Sequence, residues 1–141
     1  MKRLVVYADG GARGNPGPAG SGAYLEDEDG NAVARVYKYI GETTNNVAEY
    51  SALIFGLKEA QRRGADEVQV RMDSQLAVRQ ILGEYRVKEP TLQKLHAQAK
   101  ALLESFRAYR IEHIPREKNH EADKLANIAI DSHFAKKLSQ D

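Results

Sequence analysis

Short apolar runs and longer amphipathic segments follow one another along the chain, and this pattern predicts an α/β domain. Residues 3–8 are rich in β-branched and aromatic types, which is typical of a buried strand. A hairpin is predicted next, from about 22–27 to about 32–40, with a turn at 29–31. The glycine- and proline-rich stretch 9–22 precedes this hairpin, so we expect a turn-rich loop there.

The rest of the chain carries helical patterns separated by short strands. The predicted elements are, in order, a helix from about Asn46 that Gly64 ends, a strand over 67–71, a helix capped by Ser74 that runs to about Leu82, a helix over 91–105 capped by Thr91, a strand over 108–114 and a helix opened by Asn119. The polar residues 131–141 are expected to fray.

The order β-β-β-α-β-α-α-β-α predicts a five-stranded mixed sheet. An antiparallel meander comes first and parallel strands joined by helical crossovers follow, with helices covering the sheet faces. The 141 residues fit a single domain, 1–141, that can bury a core of its own. In open sheets of this kind, functional side chains collect at the carboxyl ends of the strands.

Composition narrows the class of protein. Hydrophobic residues make up 42% and charged residues 29%, an ordinary globular balance, and the net charge is only +1. The absence of cysteine excludes disulfides, thiolate catalysis and cysteine-bound zinc. There is no apolar run long enough to span a bilayer, and Asp9 interrupts the N-terminal apolar stretch too early for a signal peptide. We therefore expect a cytoplasmic monomer with no membrane partner.

Four acidic residues stand at the ends of predicted elements. Asp9 follows the first strand and Asp73 the fourth, while Glu49 and Asp123 lie in the first turns of two helices. The first and fourth strands are predicted to be parallel neighbours, which would bring Asp9 and Asp73 side by side. The other two acids would have to approach from helix N-termini.

Carboxylates that converge repel one another unless a cation neutralises them. An all-oxygen set suits Mg²⁺ or Mn²⁺ rather than zinc, and two such ions can promote phosphodiester cleavage by water. Each acid also has a purely structural interpretation. Asp9 could belong to a turn, Glu49 to a capping box begun by Asn46, Asp73 to a helix start and Asp123 to a solvated helix face. The residue pattern alone leaves both interpretations open.

Four sequence blocks favour the functional interpretation of these acids over the structural one. They are DGGARGNPGPAG (9–20), TTNNVAEY (43–50), MDSQLAV (72–78) and IPREKNHEADKLAN (114–127). In this order and spacing they make the chain resemble the type 1 ribonuclease H family over about residues 1–130. The resemblance implies a ribonuclease H-like fold. It also implies a metal-dependent endonuclease that hydrolyses the RNA strand of RNA–DNA hybrids and leaves 5′-phosphate and 3′-hydroxyl ends.

The resemblance implies a role for each acid. Asp9, Glu49, Asp73 and Asp123 match the catalytic carboxylates that hold two Mg²⁺ ions, with Mn²⁺ as a substitute. Asp9 resembles the acid that bridges both ions, and Asp123 the acid beside the ion that activates the attacking water. Glu49 and Asp73 resemble ligands of the other ion.

Four amides match positions where family members contact the hybrid along its backbone and minor groove: Asn15, Asn45, Asn46 and Gln75. Amides both donate to and accept from 2′-hydroxyl groups, which is how a protein distinguishes RNA from DNA. Turn and cap roles are the structural alternative for all four.

The sequence departs from the common family pattern before its last helix. Many members carry a histidine in a longer loop there, whereas this loop is short and Arg116 precedes Asp123 by seven residues. In this it resembles the short, archaeal-like branch of the family. An arginine stays protonated, so we expect an electrostatic role for Arg116 in holding phosphate or easing product departure. A solvated loop charge is the alternative, and His120 is the rival residue for the role.

A basic helical handle that grips DNA in many bacterial members is also missing. Residues 83–92 pass quickly into the next helix, and Tyr85, Arg86 and Lys88 form either a small DNA-contacting patch or an ordinary exposed turn. We expect modest, salt-sensitive affinity for the hybrid. Two other functions stay open: cleavage of double-stranded RNA, and a non-catalytic nucleic-acid-binding module.

Overall fold

Five strands form the central sheet of the computed structural model, which describes residues 2–140. They are β1 (Arg3–Ala12), β2 (Gly17–Glu26), β3 (Ala32–Thr43), β4 (Glu67–Met72) and β5 (Ala108–His113). Their order across the sheet is β3-β2-β1-β4-β5. The first three strands are antiparallel, and β4 runs parallel to both β1 and β5. The predicted mixed sheet and the parallel pairing of β1 with β4 are confirmed.

Within residues 2–140, the sheet is accompanied by four α-helices and one short 3₁₀ turn. They are α1 (Asn45–Arg62), α2 (Gln75–Ile81), α3 (Pro90–Glu104), the 3₁₀ turn (Arg116–Lys118) and α4 (His120–Gln140). Helices α1 and α4 lie on opposite faces of the sheet, because α1 packs on Ala23 while α4 packs on the neighbouring Gly22. Within residues 2–140, no helix combines the length and apolar character that a bilayer crossing requires.

The main core lies between the sheet and α1. Leu4, Val6 and Ala8 alternate along β1 and are almost fully buried, as the period of a strand requires. Leu53 and Leu57 lie one helical turn apart on α1 and are completely buried in the same cluster. This packing fixes the helix against the strand whose carboxyl end carries Asp9.

The prediction of a loop over residues 9–22 was wrong. β1 continues to Ala12 and β2 begins at Gly17, so only residues 13–16 form the turn. Gly14 serves the turn with a φ of 91°, but Gly10, Gly20 and Gly22 mark close packing against helices instead. A Cβ atom on Gly22 would lie 2.5 Å from the carbonyl oxygen of Ala122 in α4. Glycine therefore serves here as the residue that lets a helix backbone touch the sheet.

The start of α3 differs from its prediction. The N-cap of α3 is Glu89 rather than Thr91, and its carboxylate accepts from the backbone N–H groups of Thr91 at 3.1 Å and Leu92 at 2.9 Å. A carboxylate that accepts two N–H groups outcompetes a single hydroxyl for the cap. Helix α4 includes residues 131–140, and the fraying expected of this polar segment stays a prediction. Asp141 lies outside the described residues.

The close approach at Gly22 yields a stability prediction. We expect Gly22→Ala to lower the free energy of unfolding by about 1–3 kcal/mol, because the new methyl group must push α4 away from β2. Gly11→Ala is the matched control, since the nearest atom to a Cβ there is Asn45 Oδ1 at 3.9 Å. Urea denaturation of both variants measures the difference. Equal stability of the two variants would contradict this account of the packing.

Candidate active site at the carboxyl ends of the central strands

Asp9 and Asp73 lie at the same edge of the sheet. β1 and β4 are parallel, and their register pairs Ala8 with Met72, so the next residue of each strand is an aspartate. The backbone N–H of Gly10 donates to Asp9 Oδ1 at 2.9 Å. The predicted juxtaposition of these two acids is therefore confirmed by the strand register.

Glu49 reaches this edge from α1. A Cβ atom on Gly10 would collide with the backbone of Ala48 and Glu49, so β1 and α1 touch at the residue after Asp9. The helix is capped by Thr44, whose hydroxyl accepts from the N–H of Val47 at 3.3 Å. The structural alternative of a capping box begun by Asn46 is therefore wrong, because Glu49 is the fifth residue of the helix and lies two positions beyond the third, where a capping box needs its acid.

Asp123 approaches from the opposite face on α4. Gly22 pairs with Asp9 across β1 and β2, and it contacts Ala122, the residue immediately before Asp123. Each of the two helical acids is thus brought in by a glycine beside Asp9, one on each face of the sheet.

The electrostatics of Asp9 show how closely the four acids interact. Burial and the negative charges of Asp73, Asp123 and Glu49 raise the pKa of Asp9 to about 8, and a hydrogen bond with the Asp123 carboxyl group acts in the same direction. Burial also raises the pKa of Glu49 to about 6; Asp73 adds to this, while the Ser74 hydroxyl opposes it. None of the four forms a salt bridge with another described residue.

The four carboxylates are chemically suited to bind a divalent cation. All four groups are carboxylates, which are hard oxygen ligands of the kind that Mg²⁺ and Mn²⁺ prefer. Within residues 2–140, no three acidic or histidine side chains already close around a single point as a finished metal centre. A cation would have to draw these mutually repelling groups together, and its positive charge would offset the negative charges that, together with burial, raise the pKa of Asp9.

A buried amide, Asn119, completes the immediate surroundings. Its Nδ2 donates to Asp73 Oδ1 at 2.9 Å and to the carbonyl oxygen of Ala8 at 3.0 Å. The sequence pattern predicts for Asn119 only that it opens the last helix. No sequence signal distinguishes an asparagine that caps its own helix from one that reaches across to another strand.

Asn15 and Asn45 link the 13–16 turn to α1. The N–H of Asn45 donates to Asn15 Oδ1 at 3.1 Å, and the N–H of Ala12 donates to Asn45 Oδ1 at 2.7 Å. Among the described residues, no acceptor binds either Nδ2 group, so both remain available as donors. These two amides therefore hold the turn in place beside the carboxylates.

Asn46 and Gln75 occupy the first turns of two helices near the same edge. Asn46 is the second residue of α1 and is half-buried, while Gln75 is the exposed first residue of α2. With its amide oxygen turned towards Arg79, Gln75 accepts from the Arg79 guanidinium at 3.2 Å. The structure thus places Asn15 in the turn between β1 and β2, Asn45 and Asn46 at the start of α1, and Gln75 at the start of α2.

Arg116 and His120 lie on the connection between β5 and α4. Arg116 is exposed in the 3₁₀ turn, and His120 is the exposed first residue of α4, 3.6 Å from a carboxylate oxygen of Glu121. His96, on α3, is half-buried, and its Nε2 lies 3.1 Å from the carbonyl oxygen of Gln80.

Comparison with known proteins agrees with this architecture. A family model described as "Reverse transcriptase-like" matches residues 7–129. The N-terminal RNase H domain of Rv2228c from Mycobacterium tuberculosis superposes with a TM-score of 0.92 at 47% identity, covering 97% of this chain and 99% of that one. LC11-RNase H1, solved in complex with an RNA/DNA hybrid, has a TM-score of 0.88 at 51% identity and covers 93% and 99%.

Ribonuclease HI of Halobacterium salinarum is 44% identical over 129 residues, which is 92% of this chain and 65% of that protein. The chain spans only 36% of the full Rv2228c protein, described as bifunctional, with which it shares 50% identity over 131 residues. The helix-flanked mixed sheet with acids at its carboxyl edge defines the ribonuclease H class of folds. The chain belongs to the type 1 ribonuclease H family.

The raised pKa of Asp9 predicts an unusual pH dependence of stability. In EDTA, the folded state favours protonated Asp9, so its contribution to stability is present below pH 3.8 and is lost as the pH rises towards 8. Asp9→Asn removes this dependence. We expect the variant to match the wild type near pH 4 and to be increasingly more stable than the wild type up to pH 8 in urea denaturation.

Asp131→Asn is the control for this pH experiment. The Arg13 guanidinium lowers the pKa of Asp131, so this variant should be no more stable than the wild type above pH 4. A stability gain in Asp9→Asn that stays constant across the pH range would show that charge repulsion is not its cause.

Proposed function

We propose that this protein is a ribonuclease H that hydrolyses the RNA strand of RNA–DNA hybrids with divalent metal ions and leaves 5′-phosphate and 3′-hydroxyl ends. The observation that carries this proposal is the meeting of Asp9, Glu49, Asp73 and Asp123, which come from two strands and two helices on both sheet faces. A fold gains nothing in stability from such a cluster, because its mutual repulsion penalises the folded state.

Membership of the family and the hybrid-bound neighbour support the substrate class. The four carboxylates would hold two Mg²⁺ ions, for which Mn²⁺ can substitute. When bound, such ions lower the pKa of water and neutralise charge on the phosphate that is cleaved. The protein's own part is to keep the carboxylates facing one another, through the glycine contacts on both sides of Asp9.

The amides provide the means of selecting RNA. Asn15, Asn45, Asn46 and Gln75 stand at the edge that carries the carboxylates. Their donors and acceptors suit 2′-hydroxyl groups and sugar–phosphate oxygens in the minor groove of a hybrid. We propose that these four residues bind the substrate beside the scissile phosphate.

Affinity for the hybrid should be modest. Residues 82–89 join α2 directly to α3 and leave no room for a basic handle. Tyr85, Arg86 and Lys88 are exposed there, and the Arg79 guanidinium lies 5.3 Å from the centre of the Tyr85 ring. This small basic and aromatic surface is the part of the connection that could contact the DNA strand.

Cleavage of end-labelled duplexes tests the proposal. Purified protein should cut the RNA strand of a hybrid with Mg²⁺ or Mn²⁺ and not in EDTA. Asp9→Asn should lose at least about 10³-fold in rate while remaining folded, because the acid that faces the other three is gone. A double-stranded RNA of the same sequence defines the substrate range.

The outcomes separate the alternatives. Cuts in double-stranded RNA but not in the hybrid would overturn the proposed substrate. Metal-independent binding of the hybrid without any product would instead indicate a nucleic-acid-binding module. Near-normal turnover by Asp9→Asn would remove the carboxylates from the chemistry.

Arg116 has a separate prediction. We expect Arg116→Ala to slow turnover by about tenfold with metal binding unchanged, because an exposed cation beside α4 attracts phosphate oxygens without touching the metal site. His120→Ala, four residues along the chain, is the comparison variant and should turn over nearly as the wild type does. A slower rate in His120→Ala alone would assign the role to the histidine.

A further inference from the structure

Asn119 is one of the few fully buried polar side chains in the described part of the protein, with 1% of its surface exposed. It precedes α4, and its backbone carbonyl accepts from the N–H of Asp123 at 3.1 Å. Its side chain does not cap that helix. The amide instead crosses to the ends of β1 and β4, where Ala8 and Asp73 stand.

The chemistry of the neighbours fixes the orientation of this amide. Both partners, the Ala8 carbonyl oxygen and Asp73 Oδ1, are acceptors, so only the NH₂ group of Asn119 can face them. One nitrogen thereby joins the residue before Asp9 to the carboxylate of Asp73. The backbone of the same asparagine begins the helix that carries Asp123.

The arrangement carries a cost. Asn119 Oδ1 is buried and has no hydrogen-bond partner among the described residues. A buried acceptor without a donor is unfavourable, so a residue selected for stability alone would not be placed here. What Asn119 supplies to the site is its two N–H donors, which bind the Ala8 carbonyl oxygen and Asp73 Oδ1.

We propose that Asn119 is a positioning residue for the divalent-metal site: its amide holds the Asp73 carboxylate against Asp9 in spite of their repulsion. This inference rests on the proposed function, since it assumes that these carboxylates bind metal. Without the N–H donor, Asp73 is free to rotate away from the neighbouring negative charges. Partners of this kind, which orient a metal ligand, typically contribute about 10–100-fold to metal affinity or activity.

Calorimetric titration of the hybrid-free protein with Mn²⁺ tests the proposal directly. We expect Asn119→Ala to weaken Mn²⁺ binding by about 10–100-fold. In cleavage assays, the Mg²⁺ concentration for half-maximal rate should rise correspondingly, while the KM for the hybrid stays unchanged. Asn119→Ser removes less volume and leaves one shorter donor, so it provides a second test if the alanine variant folds poorly.

Gln80→Ala is the matched control. Gln80 is also a buried amide with two partners: it accepts from the Tyr50 hydroxyl at 2.7 Å and donates to the carbonyl oxygen of Arg86 at 3.1 Å. We expect a similar fall in melting temperature for Gln80→Ala and Asn119→Ala. Mn²⁺ binding by Gln80→Ala should nevertheless equal that of the wild type.

Three outcomes decide between the inferences. Unchanged Mn²⁺ binding in the Asn119 variants, or equal weakening in Gln80→Ala, would overturn the positioning role. Tight Mn²⁺ binding that depends on Asn119, in a wild-type protein that cleaves no duplex, would support the positioning role and refute the proposed nuclease. Absence of Mn²⁺ binding in the wild type would overturn both.

Discussion

The contact of two helix backbones with the sheet on either side of Asp9 is the constraint on which the site depends. Gly10 lets α1 approach from one face, and Gly22 lets α4 approach from the other. Each glycine touches the residue just before a helical acid, so a larger side chain at either position would move a carboxylate as well as a helix. Packing and chemistry are therefore set by the same two residues, and neither can change alone.

The charge that this packing concentrates is costly to the folded protein. Asp9 lies among three other acids, and burial strengthens their effect on its pKa. Natural proteins keep such unfavourable groups where they serve an activity, and the rest of the fold compensates. Here the compensation is the long apolar contact between β1 and α1, where Val6 and Leu57 are completely buried.

Much of this could be predicted from sequence, because periodicity and chain order carry the information. Alternating apolar residues identified β4, and the crossover rule paired it with β1, which placed Asp73 beside Asp9. Two of the failures share a cause, since glycine and asparagine each have two uses. Glycine serves turns and close packing alike, so Gly20 and Gly22 were assigned to a loop. Asparagine serves caps and long-range contacts alike, so the side chain of Asn119 could not be assigned before its neighbours were known.

The hydrogen bonds from Asn45 to Asn15 and from Ala12 to Asn45 have a consequence for recognition. They fix both side chains in the free protein, in a turn that would otherwise sample many conformations. A ligand that these amides contact meets groups whose rotational entropy is already lost, so its binding carries little ordering cost at this turn. Part of the ordering that recognition requires is therefore already complete when the protein folds.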